Sequence, residues 1–296
     1  MRTYQSLLTD YKTLSRDSST ANTTLGGILL NRYIKRILMT RDWTFNRSSK
    51  EITAVASQQA YYLPYNCERI KDIIVTVGEI KYFPQEVSDR KVWNNLNRTT
   101  VNSNSTSRYF IEADTIEVYP IPTNASPVIK LYYQKLTKDL GESDYTTGSP
   151  YVTTGSPTIV VSSPTTTTAW TSSMEDRHIQ FGSDGYWYPI DTVASASQLT
   201  VSRAVNQAIS GDDATYKISE MIPLPYGYDD LPLYGALFVY FNQKQESIEQ
   251  AREYERLYRE GLQNLLRRDA KSVGNVLEKD DLRNIVDVNR YPTDLD

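Results

Sequence analysis

Three Asp-Asp pairs stand out in this sequence: Asp212-Asp213, Asp229-Asp230 and Asp280-Asp281. Two carboxylates can divide general acid and base work when their surroundings push their pKa values apart. Neighbouring acids on a strand or helix do not face each other, however, and each pair has a plainer role. Asp212-Asp213 sits in a Gly-Asp-Asp turn, Asp229-Asp230 opens a helix, and Asp280-Asp281 lies in a polar tail. Scarcity excludes most other chemistry, because the 296 residues include one histidine, His178, and one cysteine, Cys67. A zinc site needs three or four such ligands. A Ser-His-Asp or Cys-His arrangement would have to use His178, and no nucleophile motif adjoins it. Gly26-Gly27 is not followed by Gly-Lys-Ser/Thr, so it is no phosphate loop; inside a helix it permits close packing against a neighbour. No catalytic residue, metal or cofactor is expected, and the chain reads as a non-enzyme.

What the chain has in quantity is tyrosine, 23 residues of it. Gly185-Tyr-Trp-Tyr-Pro189 together with Trp170 has the composition of a stacking platform. An aromatic β module gripping a glycan or peptide is therefore the alternative reading. The plainer expectation is that aromatics fill cores and protein interfaces. Charge is uneven beneath a formal net of −4. Residues 1–50 carry nine basic and three acidic groups, 141–219 three and eight, and 272–296 three and six. Arg32, Lys35, Arg36 and Arg41 cluster on one helix, facing either a neighbouring subunit, which is preferred, or DNA phosphate; no sequence-specific nucleic-acid motif accompanies them. Met1-Arg2-Thr3-Tyr4 begins no signal-peptide stretch, and Gly235–Phe241 is far short of the ~20 apolar residues of a membrane span. No membrane partner is expected.

These residues need elements to hold them. Leu7, Leu8, Tyr11 and Leu14 follow helical spacing; Leu25, Ile28, Leu29, Ile34, Ile37 and Leu38 form a second stripe, with Asn22 as its N-cap. From Trp43 to residue 136, short β-branched and aromatic runs broken by Pro64, Pro84 and Pro120 predict strands, with a hairpin around Glu112-Ala113-Asp114. Between Gly141 and Met174, 17 of 34 residues are Ser or Thr, and further short runs to residue 218 predict a small sandwich or barrel. Residues 229–245 and 248–268 predict two more helices. The expected fold is α+β, a helical bundle core with accessory strands and an inserted all-β domain. Its parts are a core of 1–140 and 220–270, an insert of 141–219, and an extended C-terminal arm of 271–296.

The order of motifs resembles the head-to-tail adaptor (connector or neck) proteins of tailed bacteriophages, including the tail tubular protein A type. Leu29-Leu-Asn-Arg-Tyr-Ile-Lys-Arg-Ile37 runs into Arg41-Asp-Trp-Thr-Phe-Asn46. Tyr61-Tyr-Leu-Pro64 precedes Arg69-Ile70. Arg108-Tyr-Phe-Ile111, Ile116-Glu-Val-Tyr-Pro-Ile-Pro122 and Leu131-Tyr-Tyr133 then follow in family order. The resemblance covers about 1–140 and 220–268; the Ser/Thr-rich stretch departs from it. It implies a structural virion protein at the head–tail junction, made in the host bacterial cytoplasm, with no cofactor. The implied assembly is a ring, usually of twelve copies, between the portal protein and the tail or neck ring protein. DNA would pass through its lumen without sequence recognition, and the C-terminal segment would embrace the portal. The expected interface residues are Arg32, Lys35, Arg36, Arg41, Trp43, Trp187, Tyr188, Leu282, Ile285, Val286 and Tyr291.

Overall fold

A computed structural model describes residues 2–148, 150–161, 170–182, 185–206, 208, 215–244 and 247–273. Two compact units divide the chain: residues 38–138 form one, and 1–37 with 139 onward form the other.

The first helices show how a short sequence sets its own boundaries. Thr3 caps α1 (Tyr4–Ser15), its Oγ1 accepting from the Ser6 amide at 3.1 Å. Arg16 ends it in the left-handed region at φ 54°, returning its amide to the Thr13 carbonyl. Helix α2 (Thr20–Met39) is capped not by Asn22, as its sequence suggests, but by Ser19, whose Oγ accepts from the Asn22 amide at 3.2 Å. Asn22 is instead buried, donating to Ser15 Oγ and the Asp17 carbonyl and accepting from the Tyr11 hydroxyl. It ties the α1–α2 turn from within. Gly26 is required here: a Cβ would lie 2.5 Å from Cδ1 of Tyr11.

The 38–138 unit is built on strands. In chain order they are β1 (Arg47–Thr53), β2 (Ala60–Tyr62), β3 (Cys67–Val77), β4 (Ile80–Tyr82) and β5 (Gln85–Glu86). After the short helix α3 (Arg90–Leu96) come β6 (Arg108–Glu112), β7 (Thr115–Tyr119) and β8 (Val128–Lys135). They pair as two four-stranded sheets, β1-β8-β3-β4 and β2-β7-β6-β5. Every pairing is antiparallel except β5 with β6. Ile73, Val75, Ile129 and Leu131 from one sheet and Tyr61, Tyr109, Ile116 and Val118 from the other share one buried cluster. Alternation along β7 and β8 puts those side chains on a single face. Trp93 of α3 stacks on Phe110 and donates from Nε1 to Glu117 at 2.5 Å, fixing the helix to its sheet.

The other unit continues with β9 (Pro150–Tyr151), β10 (Thr158–Val161), β11 (His178–Phe181), β12 (Trp187–Ser195), β13 (Gln198–Val201) and β14 (Tyr216–Ser219). These form one six-stranded sheet, β14-β11-β12-β13-β10-β9, rather than the two layers of a sandwich. Register shifts in β12 at Ile190/Thr192 and Val193/Ser195 bend it. Its core holds Ile159, Ile179, Phe181, Tyr188, Leu199 and Ile218, with Trp170 and Met174 among them. Glu220, just past β14, is buried and accepts the amides of Gly141 and Glu142 at 2.7 and 2.9 Å, gathering the chain's entry to and exit from the sheet.

Helices α4 (Leu231–Gln243) and α5 (Ile248–Val273) complete the unit. Tyr11 meets Tyr240 edge to face at 5.8 Å, and Tyr33 meets Tyr258 at 5.1 Å. The apolar stripe of the α5 sequence is buried at Ala251, Tyr258, Leu262, Leu265 and Leu266.

The expectation of a helical bundle core with accessory strands is overturned. Among the described residues, fourteen strands in three sheets stand against five α-helices, and the sheets carry apolar cores of their own. The reason is physical. Helix hydrogen bonds close within four residues, so periodicity announces them. Strands of two to five residues announce little until a distant partner pairs them, as β6 does β5 across Gln85↔Arg108.

Candidate protein interface

Helix α2 buries Leu29, Leu30, Tyr33, Ile34 and Ile37. Its opposite stripe runs Ala21, Thr24, Ile28, Arg32 and Lys35 at spacings of three and four, and all but the half-exposed Lys35 are exposed. Ile28, which spacing alone assigns to the apolar stripe with Leu29 and Ile34, is instead 54% exposed. The helix sequence contains no acid, so no cation on it can be neutralised one turn away. Lys35 reaches Asp139 at 2.8 Å, and the Arg36 guanidinium lies 5.8 Å from the Tyr33 ring centre. Helix α5 solves the same problem internally: Arg256 pairs with Glu253 and Glu260, and Arg259 with Glu255.

In the 38–138 unit, Arg41 and Asp42 follow the end of α2. Asp42 accepts from Arg69 at 3.0 Å and from Lys71. Partial burial pushes its carboxyl up, but the Lys71 hydrogen bond and the charges of Lys71, Arg69 and Arg47 outweigh it and hold the carboxyl below its ordinary value. Leu38, Met39, Arg41, Glu68, Arg69 and Gln134 line a cleft beside it of about 380 Å³. Trp43 is fully buried, with Gln134 donating to its carbonyl at 3.4 Å, and Asn46 donates to the Lys135 carbonyl at 3.1 Å.

A carboxyl held lower in the folded than the unfolded chain contributes stability above its unfolded pKa, about 3.9, and loses it as pH falls through the folded value. Asp42→Asn should therefore be less stable than the parent at pH 7, by no more than about 1 kcal/mol given the exposure of the pair. Urea unfolding at stepped pH should show the two converging below pH 4. A constant difference across that range would remove the ion pair as its cause.

The sequence-selected residues are spread over both units. Arg32, Lys35 and Arg36 share α2; Arg41 and Trp43 lie in the other unit, and Trp43 is buried. Trp187 is half-buried, whereas Tyr188 is in the β-sheet core with its hydroxyl accepting from the Asn206 amide at 3.2 Å. Leu282, Ile285, Val286 and Tyr291 fall outside the described residues, as does the 271–296 arm beyond the end of α5. The platform imagined for a glycan is dismantled: Trp170 is 2% exposed and donates from Nε1 to the Tyr216 hydroxyl at 3.0 Å.

Of the acid pairs, Asp229 is buried and accepts the Gly227 amide, and Asp230 pairs with Arg2; Asp212, Asp213, Asp280 and Asp281 fall outside the described residues. Burial, with Glu68 beside it, pushes the Cys67 thiol up, away from the reactive thiolate. Among the described residues no group of three or more His, Cys, Asp or Glu is placed to hold a metal ion, and no helix is long and apolar enough to cross a membrane. Sequence reading missed the Asp42 ion pairs and the Glu220 clasp. The one available signal was the rarity of acids in residues 1–50, which makes Asp42 a focus for surrounding cations.

No curated protein matches the chain. The sequence model of one family, described as SU10 adaptor protein, matches residues 2–159, more than half of the chain. That span takes in α1, α2, the whole 38–138 unit, β9 and the start of β10. The chain belongs to the SU10 adaptor protein family and is a bacteriophage adaptor-type protein.

Proposed function

We propose that this protein is a structural subunit of the head-to-tail adaptor, forming a closed ring between the portal and the tail or neck and leaving a lumen through which DNA passes. The observation that carries this reading is the family match across residues 2–159. The exposed Arg32 of α2, which has no ion pair among the described residues, supports it, because a ring built from identical copies joins two different patches of each and closes by rotation. The Arg41–Asn46 string carries the finer likeness to tail tubular protein A. Twelve copies is the expected number, and the role is mechanical rather than catalytic.

The test is assembly. Purified subunit mixed with portal rings should give a closed ring of about twelve copies by native mass spectrometry and negative-stain imaging, resting on one face of the portal. Subunit that stays monomeric and free of the portal at micromolar concentration would falsify this reading.

A further inference from the structure

We infer that the outer stripe of α2 is the docking surface for the C-terminal segment, residues 274–296, of a second copy of this chain. The inference rests on the self-assembly in the proposed function and names the contact that would carry it.

The stripe pairs an exposed aliphatic side chain, Ile28, with an arginine, Arg32, that has no ion pair among the described residues. An exposed helix face normally dilutes its charge with opposite signs one turn away, as α5 does. Helix α2 has no acid to do so; Lys35 finds one outside the helix, at Asp139, and Arg32 finds none among the described residues. Its complement is therefore a segment bringing both carboxylates and apolar side chains. Residues 277–288, Leu-Glu-Lys-Asp-Asp-Leu-Arg-Asn-Ile-Val-Asp-Val, have that composition: four acids and two bases, with Leu277, Leu282, Ile285, Val286 and Val288 among them. The 23 residues after α5 can span about 75 Å when extended, enough to leave their own subunit. Opposite charge sets the register of such a contact, and apolar burial holds it.

The chain's single cysteine makes the test direct. In a Cys67→Ser background, Ile28→Cys combined with Leu282→Cys, Ile285→Cys or Val286→Cys is treated with a short bismaleimide. At least one pair should give a ladder of linked subunits on a denaturing gel, absent from each single variant. Linkage confined to the monomer would mean that the segment folds back on its own helix, and overturns the inference. Charge exchange gives a second readout. Arg32→Glu should weaken self-association about tenfold, and adding Asp280→Lys with Asp281→Lys should restore it. If Arg32→Glu leaves association intact and lowers only retention on DNA, the stripe faces DNA instead. If deletion of 274–296 abolishes portal binding and spares self-association, the segment belongs to the portal. Wild-type chain that never associates brings down the ring reading as well; association without the ladder brings down this inference alone.

Discussion

Gly235→Ala should destabilise the protein by about 3 kcal/mol, the upper part of what overpacking a filled core costs. Alanine is the better helix former by about 1 kcal/mol, so on propensity alone the change would help. Packing decides otherwise. A Cβ at residue 235 would lie within 2.5 Å of Cε1 and Cγ of Tyr33. Tyr33 cannot step aside cheaply, being 3% exposed and held edge to face against Tyr258. One glycine in α4 thus sets how closely two aromatic-bearing helices approach it. Guanidinium unfolding of Gly235→Ala, Tyr33→Leu and the double variant checks this. The double variant should cost less than the sum of the singles, because the leucine vacates the space that the new methyl enters. Strict additivity would show that the glycine acts through something other than Tyr33.

Trp170→Ala should cost about 4 kcal/mol, the range for truncating a buried aromatic. The indole is packed edge to face on Tyr216 and donates to its hydroxyl, which in turn donates to the Thr147 carbonyl. Burial pushes the Tyr216 phenol well above its ordinary range, so it remains a neutral donor throughout physiological pH. Truncation leaves a cavity and an unmatched hydroxyl in the core of the six-stranded sheet. Trp187→Ala, at a half-buried strand position, should cost no more than about 1 kcal/mol. Near-ultraviolet circular dichroism and hydrogen exchange over residues 150–219 should report the loss for Trp170 and not for Trp187. A Trp170→Ala protein that keeps its stability but loses affinity for a glycan or peptide would restore the ligand-binding reading.

The helices were legible because their evidence is local. Leu7, Leu8 and Tyr11, and the α5 stripe from Ala251 to Leu266, are buried as their spacing required. Gly26 was legible too: a glycine inside an amphipathic stripe implied close approach, and Tyr11 supplies it. Asn22 was misread as a cap because capping and turn-bridging use the same side-chain chemistry. Only the position of Ser15 and Tyr11 chooses between them. The share of the fold held by sheets was underestimated because strands as short as β5 and β9 have no local signal until other segments pair with them.

By itself, the sequence determined what this protein has few means to do and the order in which its motifs run. One histidine, one cysteine and scattered acids bound the chemistry, and motif order led to the adaptor family. It also determined that α2 has cations and no acid of its own. Only the tertiary structure decided which aromatics are surface and which are core. Trp43, Trp170 and Tyr188 are interior, and Tyr186, in the same cluster as Tyr188, is exposed. Burial is a property of all the chain that folds over a residue, and that chain arrives from far away: Tyr33 meets Gly235, and Trp170 meets Tyr216. Composition travels with the sequence; exposure is settled only when distant segments compete for the same space.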